Sequence, residues 1–151
     1  MKNFHRQMRE RRSGGQLSIP FSCNKHMGKV RKSAEDYLEA ILMLHNEHGY
    51  VRSVDIANQL GVTKPSVSYA TRRLKEEGHI EMDKEGMIHL TNSGMEIASS
   101  IYERHRVLTS LFENIGVDPD TAREDACRVE HDLSEETFNA LKKHIKQFEE
   151  E

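Results

Sequence analysis

The segment DACRVEHDLS, residues 125–134, places Cys127, Glu130 and His131 three and four positions apart. On an α-helix these spacings bring a thiol, a carboxylate and an imidazole onto one face. All three groups are potential metal ligands, and none is a natural choice for an apolar core. A lone cysteine is more often a small buried hydrophobe, so the hypothesis rests on the three residues together. The segment predicts a metal-binding helix face.

Three more potential ligands lie earlier in the chain. Asp36 and Glu39 stand three apart on a predicted first helix, and His105 lies on the apolar stripe of a long helix. A single histidine on such a stripe is more often a hydrogen-bonded core residue. Together, however, the six side chains suit a first-row divalent metal. The oxygens favour Mn²⁺ or Fe²⁺, and the thiolate lets Zn²⁺, Co²⁺ or Ni²⁺ compete.

Composition indicates a globular chain of one ordinary domain or two small ones. The 151 residues are 36% hydrophobic and 31% charged, and the longest apolar run, AILML, is too short to cross a bilayer. The N-terminus lacks the apolar core of a signal peptide. Cys23 and Cys127 form no disulfide framework, so we expect both to be reduced in a cytoplasm.

The net charge of −3 hides a basic N-terminal arm. Residues 1–32 contain nine Lys and Arg and a single acid, whereas the remainder is strongly acidic. Such an arm either binds nucleic acid or is disordered. Met27 offers an alternative start, in which case the arm is not translated. An acidic remainder does not exclude DNA binding, because the relevant charge is local to one face.

Residues 33–93 have the pattern of a winged helix-turn-helix, a helical DNA-binding fold with a small hairpin. Ser33 is the expected cap of the first helix, whose apolar stripe includes His45, and Ser53 that of the second. Gly61 ends the second helix, and the third follows a tight turn. Alternation in HIEMDKEGMIHLT predicts the two-stranded wing.

The third helix should read DNA. Val67, Ala70 and Leu74 face inward, and the opposite face carries hydroxyls and cations. The first residues of such a helix enter the major groove while basic residues hold phosphates. The predicted DNA-binding residues are Lys64, Pro65, Ser66, Ser68, Tyr69, Arg72 and Arg73.

Residues 94–151 are predicted to be an all-helical dimerisation and metal-binding domain. A helix from Thr91 to about Ile115 is followed by a helix near 119–131 and by a last one capped by Ser134. These segments offer more apolar stripes than so small a unit can bury alone, which predicts a homodimer. The stripe of the long helix comprises Ile97, Ile101, His105, Leu108 and Phe112.

From about Ser33 to Phe148 the chain resembles the DtxR/MntR family of metal-dependent transcriptional repressors. The resemblance rests on AEDYLEAI, RSVDIANQLGVTKPSVSYATRRLKEEGHI, LTNSG, ERHRVL and DACRVEHDLS, in that order. It implies a repressor of metal-uptake genes that binds operator DNA as a dimer when loaded with Mn²⁺ or Fe²⁺.

The resemblance also implies a ligand set. It matches Asp36 and Glu39 to the family's first-helix carboxylates and His105 to its long-helix ligand, and Glu130 with His131 to its Glu-His pair. Cys127 stands where the manganese type has Glu, and Asp36 stands where the iron type has Met. The accessory iron-type site requires Glu and His, for which the chain has Thr109 and Arg123.

Two other classes of function remain open. In a metal-independent winged-helix regulator, His105 and Cys127 are core residues and a chelator leaves DNA binding unchanged. A metalloenzyme would use a Cys/His/Glu site to activate water. The sequence offers it no separate base or oxyanion-stabilising group, because each such residue already serves as a ligand.

Overall fold

The computed structural model describes residues 34–149, with side chains as far as residue 146. The basic arm, the Met27 start and the predicted Ser33 cap lie outside these residues. The elements in chain order are α1 (Ala34–His48), α2 (Ser53–Leu60), α3 (Lys64–Glu76), β1 (Ile80–Met82), β2 (Ile88–Leu90), α4 (Asn92–Asn114), α5 (Pro119–Val129) and α6 (Glu135–Glu149). The predicted mainly helical fold, a winged helix-turn-helix followed by helices, is confirmed.

The start of α2 differs from the sequence prediction. Ser53 is the first helical residue, and Arg52 occupies the cap position with an extended backbone. The Asp55 carboxylate accepts the backbone N–H of Arg52 at 2.9 Å. An acid in the first turn therefore satisfies the main-chain donor of the cap residue, whereas the Ser53 hydroxyl, predicted as the cap, lies inside the helix. Gly61 ends the helix in the left-handed conformation, as predicted.

The core of the winged helix-turn-helix lies between α1, α2, α3 and the hairpin. Leu38, Ile41, Ile56, Val67 and Leu74 are each almost fully buried. His45 was predicted to share the apolar stripe of α1, but it is exposed. Leu44 is buried instead. It lies three positions after Ile41 and therefore on the inward face of α1, whereas His45 lies just outside that face.

The wing is an antiparallel pair in which Ile80 faces Leu90. Its turn is organised by Asp83, whose Oδ1 accepts the backbone N–H of Met87 at 2.8 Å. The same carboxylate pairs with His89 at 3.1 Å. The wing tip is thus a compact turn whose one lysine, Lys84, is exposed.

A close joint connects the helix-turn-helix to α4. The Thr91 hydroxyl caps α4 and donates to the Gly78 carbonyl at 2.7 Å. Gly94 packs on the backbone of His79 so tightly that a Cβ there would lie 2.0 Å from the His79 carbonyl oxygen. Only glycine fits this contact, which fixes the long helix directly to the base of the wing.

The C-terminal helices pack on one side of α4, whose other partner is α1. Asp118 caps α5, and the helix ends at Val129, with Glu130 as its C-cap, slightly earlier than expected. Ser134 caps α6 as predicted, because its hydroxyl accepts the Thr137 N–H at 3.2 Å. On the predicted stripe of α4, Ile101, His105 and Leu108 are buried, while Ile97 and Phe112 are half-buried. None of the helices within residues 34–149 has the length and apolarity that a membrane crossing requires.

Candidate metal centre and DNA-binding surface

Acidic and imidazole side chains converge where α1, α4 and the end of α5 meet. They form two groups whose potential ligand atoms lie within 4.8 Å of one another in each. Asp36, Glu130 and His131 form the first group, and Glu39, His105 and Glu130 form the second. Glu130 belongs to both. Five of the six residues that the sequence indicated are therefore brought together from three separate helices.

The first group is partly open to solvent. Nε2 of His131 lies 3.1 Å from Oδ1 of Asp36 and 3.3 Å from Oε1 of Glu130. The Asp36 side chain is 13% exposed and that of His131 is 20% exposed, so an ion could enter from this side. Because Asp36 is on α1, the group joins the DNA-binding unit to the helical unit behind it.

The second group is closed. Glu130 is fully buried, Glu39 is 2% exposed and His105 is 5% exposed. The His105 ring donates from Nδ1 to Oε2 of Glu130 at 2.8 Å. Among the described residues, Oε1 of Glu39 is buried without a hydrogen-bond partner, and the buried Oε1 of Glu130 lies 3.3 Å from Nε2 of His131. Buried acceptors of this kind are costly unless a proton or a cation satisfies them.

The pKa values follow from this crowding. Burial, with the neighbouring Glu130 carboxylate, raises the pKa of Glu39 to about 9. Burial also acts to raise the pKa of Glu130, but hydrogen bonds from His105 and His131 outweigh it and leave that pKa lowered. Hydrogen bonds to Asp36 and Glu130 raise the pKa of His131 to about 11. Without a metal, protons therefore neutralise much of the charge at this site.

Cys127 belongs to neither group. It is buried on α5, 5% exposed, and its sulfur is in a disulfide bond. The expectation of a reduced thiol does not hold for this state, and a disulfide sulfur carries no thiolate charge with which to bind a metal. The other cysteine, Cys23, lies outside the described residues.

Two contributors were missed from the sequence. Glu35 accepts a hydrogen bond from Nδ1 of His131 at 2.7 Å. Arg104 is buried beside His105 and donates to the main-chain carbonyls of Glu130, at 3.3 Å, and Leu133, at 2.6 Å. The sequence of α1 gave no sign of the role of Glu35, because Glu35 is one of several acids on that helix. The position of Arg104, beside the apolar stripe of α4, was a signal that this cation is buried.

The predicted DNA-binding residues occupy one solvent-facing side of α3. All of them are exposed, as a free recognition surface requires: Lys64, Pro65, Ser66, Ser68, Tyr69, Arg72 and Arg73. Thr63 caps the helix and also holds the Ser66 hydroxyl at 2.9 Å. The start of α3 is thereby fixed before any partner binds.

The aromatic and basic residues on this surface are paired with neighbours. The Arg72 guanidinium lies over the Tyr69 ring, 5.7 Å from its centre. Arg73 forms an ion pair with Glu77 at 3.1 Å. Arg72 is thus the more available of the two arginines for a phosphate, since its neighbour is uncharged.

Comparison with known proteins assigns both halves of the chain. Residues 29–88 match the family described as the iron dependent repressor, N-terminal DNA binding domain. Residues 91–151 match the iron dependent repressor, metal binding and dimerisation domain.

Individual relatives agree with these matches. The chain is 39% identical to the transcriptional regulator MntR of Escherichia coli O6:H1 over 112 residues, covering 74% of this chain and 72% of that protein. It is 34% identical to the HTH-type transcriptional regulator MntR of Bacillus subtilis strain 168, covering 79% of this chain and 84% of that one.

Among solved structures, the manganese regulator SloR superposes with a TM-score of 0.68 at 29% identity. The match covers 78% of this chain and 55% of SloR, so this chain spans just over half the length of that structure. Fold, domain order and sequence agree, and the chain belongs to the DtxR/MntR family of metal-dependent transcriptional repressors.

Proposed function

We propose that this protein is a metal-dependent repressor that binds operator DNA as a homodimer when Mn²⁺ or Fe²⁺ occupies the site at Asp36, Glu39, His105, Glu130 and His131. The observation that carries the proposal is the closed group around Glu130. Oε1 of Glu39 is buried without a hydrogen-bond partner among the described residues, and the neighbouring buried Oε1 of Glu130 lies 3.3 Å from Nε2 of His131. A divalent cation held by this group would supply the interaction that the Glu39 carboxylate lacks.

The donor set supports the choice of metal. Three carboxylates and two imidazoles form an oxygen-rich set, which suits Mn²⁺ and Fe²⁺. A solved relative is itself named a manganese regulator, and the matching domains are named for iron. In the reduced protein Cys127 would add a thiolate and raise the competitiveness of Zn²⁺ and Co²⁺. Glu130, shared by both groups, would be the central ligand.

The ion would act by fixing the two units relative to each other. Asp36 and Glu39 are on α1 of the DNA-binding unit, whereas Glu130 and His131 follow α5. A metal bound by both sets favours the one arrangement in which all the ligands reach it, and only to the extent of its differential affinity for that arrangement. In a dimer this sets whether two α3 helices fit half-sites about 34 Å apart.

We place the domain boundary at residues 93–94, at the start of α4. The end of the hairpin at Leu90 and the start of α4 at Asn92, with Thr91 as its cap, support this position. The dimer would form through residues 94–151, and we propose that the protein works in the cytoplasm. It acts by binding rather than by turnover, since the site residues serve as ligands and leave no separate base.

A metal-independent winged-helix regulator is the alternative, in which His105 and Glu130 form a buried polar pair. Their 2.8 Å hydrogen bond and a protonated Glu39 are compatible with it, but it gives no reason for five potential ligands from α1, α4 and the end of α5 to converge.

The test is operator binding measured in parallel with Mn²⁺, Fe²⁺, Zn²⁺ and a chelator, with and without reductant. We expect Mn²⁺ or Fe²⁺ to increase affinity and the chelator to abolish the increase. A Cys127→Glu variant replaces a soft ligand with a hard one, so its response should move towards Mn²⁺ and away from Zn²⁺ and Co²⁺. DNA binding that is identical in chelator and in every metal would establish the metal-independent alternative.

A further inference from the structure

Two consecutive acids of α1 hold the two nitrogens of one imidazole. Glu35 accepts from Nδ1 of His131 at 2.7 Å, and Asp36 lies 3.1 Å from Nε2 of the same ring. The two nitrogens point in different directions from the ring. The atoms around Nε2, from Asp36 and Glu130, form the first donor group, and Glu35 belongs to neither group. Glu35 thus faces the edge of the ring that points away from the potential ligands.

We propose that Glu35 is a positioning residue for the metal site: it holds the Nδ1–H of His131 and so keeps Nε2 directed at the metal. The inference rests on the proposed function, because it assigns a role towards the ion that His131 would bind. Metal-ligating histidines generally donate their other N–H to a carboxylate or carbonyl, which fixes the tautomer and the ring orientation.

The hydrogen bond has the geometry that this role requires. His131 is in the turn after α5 and is 20% exposed, so hydrogen bonds to its ring nitrogens help to set the ring orientation. On the side away from the donors, Glu35 accepts the hydrogen bond of Nδ1 at 2.7 Å, and the Glu35 side chain is 44% exposed. The bond spans 96 positions of sequence, so it also joins α1 to the end of α5 without any metal.

Three variants separate positioning from other roles. Glu35→Ala removes the acceptor, and Glu35→Gln keeps an oxygen acceptor without the charge. Glu47→Ala is the matched control: it deletes an acid of the same helix that lies beside a histidine, His48, at 3.8 Å and away from the site. Mn²⁺ affinity is measured on the full chain by competition with a fluorescent chelator.

Loss of a histidine-orienting partner typically weakens metal binding by roughly 10–100-fold. We expect that loss for Glu35→Ala, a much smaller one for Glu35→Gln, and none for Glu47→Ala. A second readout is the ring Nδ1–H resonance of His131 in the zinc-loaded protein by ¹H–¹⁵N NMR. It should persist in wild type and Glu35→Gln and disappear in Glu35→Ala, a change that a general loss of stability would not produce.

Each outcome decides one question. Wild-type affinity and an unchanged Nδ1–H signal in Glu35→Ala would overturn the positioning role while leaving the proposed function intact. Equal losses of affinity in Glu35→Ala and Glu35→Gln would also overturn it, because charge rather than the acceptor would then matter. Wild-type protein that binds no Mn²⁺ would overturn the proposed function itself.

Discussion

Nε2 of His131 lies 3.1 Å from Oδ1 of Asp36, across the boundary between the DNA-binding unit and the helices behind it. His131 is therefore engaged even without a metal, through ion pairs that an alanine would remove. We expect His131→Ala to remain folded, with a lower free energy of unfolding, and to lose metal-stimulated DNA binding. Circular dichroism checks the fold, and operator titrations with and without Mn²⁺ check the response. A wild-type metal response would show that His131 is not a ligand.

Glu39→Gln should separate stability from metal binding. With its pKa raised to about 9 by burial and by Glu130, the Glu39 carboxyl is already protonated near neutrality. Glutamine has the same shape and no charge, so the unfolding free energy in chelator should change by less than about 1 kcal/mol. Mn²⁺ affinity should fall, because an amide cannot supply a carboxylate charge. Urea unfolding measures the change in stability, and metal titration measures the change in Mn²⁺ affinity.

The control for that variant is Glu96→Gln, at an exposed position on α4. It should alter neither quantity. A strong loss of stability in Glu39→Gln without metal would show that Glu39 is charged in the metal-free state, contrary to its raised pKa.

The metal-free protein should become less stable as pH rises from about 5 to about 9. The pKa of Glu39 is raised from 4.5 to about 9, so the folded state holds a proton that the unfolded chain has released. The stability that this proton confers is complete below pH 4.5 and is lost as pH rises through the folded pKa. The pKa of His131, raised from 6.5 to about 11, causes a further loss of stability at higher pH. Urea midpoints across this range measure it, and Glu39→Gln should flatten the curve below pH 6.5.

Excess Mn²⁺ should reverse the sign of that dependence. The ion must displace the protons of Glu39 and His131, so binding tightens as pH rises and stabilises the folded state more. Proton release is measurable by titration calorimetry in buffers with different ionisation enthalpies. Metal binding that releases no protons at pH 7 would contradict the protonated state of both residues.

Arg104 should stabilise the turn that carries Glu130 and His131. Its guanidinium is buried beneath Phe138 and donates to the carbonyls of Glu130 and Leu133. An Arg104→Met variant keeps much of the apolar stem but leaves these acceptors without their donor, at a cost of ~1–3 kcal/mol. Chemical denaturation in chelator measures it, with Arg106→Met as the exposed neighbouring control. An equal effect for both variants would mean that the two carbonyls find other donors.

Periodicity and turn chemistry were sufficient to predict the helices, the hairpin and the helix-turn-helix. The spacing of Cys127, Glu130 and His131 predicted one helix face, but α5 ends at Val129, and of the three only Glu130 and His131 join the groups of potential ligands. The role of Glu35 could not be found this way, because its partner is 96 positions away. Local sequence patterns do not show which residues of distant helices come into contact. Arg104 shows the same limit: a cation on an apolar stripe indicates a buried partner, but its acceptors are main-chain atoms without a sequence signature.

Cys127 illustrates a different limit. The sequence specifies a thiol at that position, but its oxidation state depends on a partner and on the surroundings. The structure has it in a disulfide bond, whereas its place on α5 suggested a free ligand. No local pattern distinguishes the two states.

The Tyr69 ring and the Arg72 guanidinium should act as a coupled pair in DNA binding. The two groups lie 5.7 Å apart on the exposed face of α3, an arrangement worth ~0.5–1 kcal/mol at exposed sites. Arg72→Ala should weaken binding to all sequences and lower the salt dependence, because it removes a phosphate contact. Tyr69→Ala should mainly change the preference between sequences.

Stacking between the two side chains predicts that their effects do not add. In a double-mutant cycle on operator DNA, the loss in the double variant should be smaller than the sum of the single losses, because each single variant also removes the support that one side chain gives the other. Arg73→Ala is the control: Glu77 already pairs with that guanidinium, so its loss on random DNA should be smaller than that of Arg72→Ala. Strict additivity of Tyr69→Ala and Arg72→Ala on both DNAs would show that the two residues reach the duplex independently.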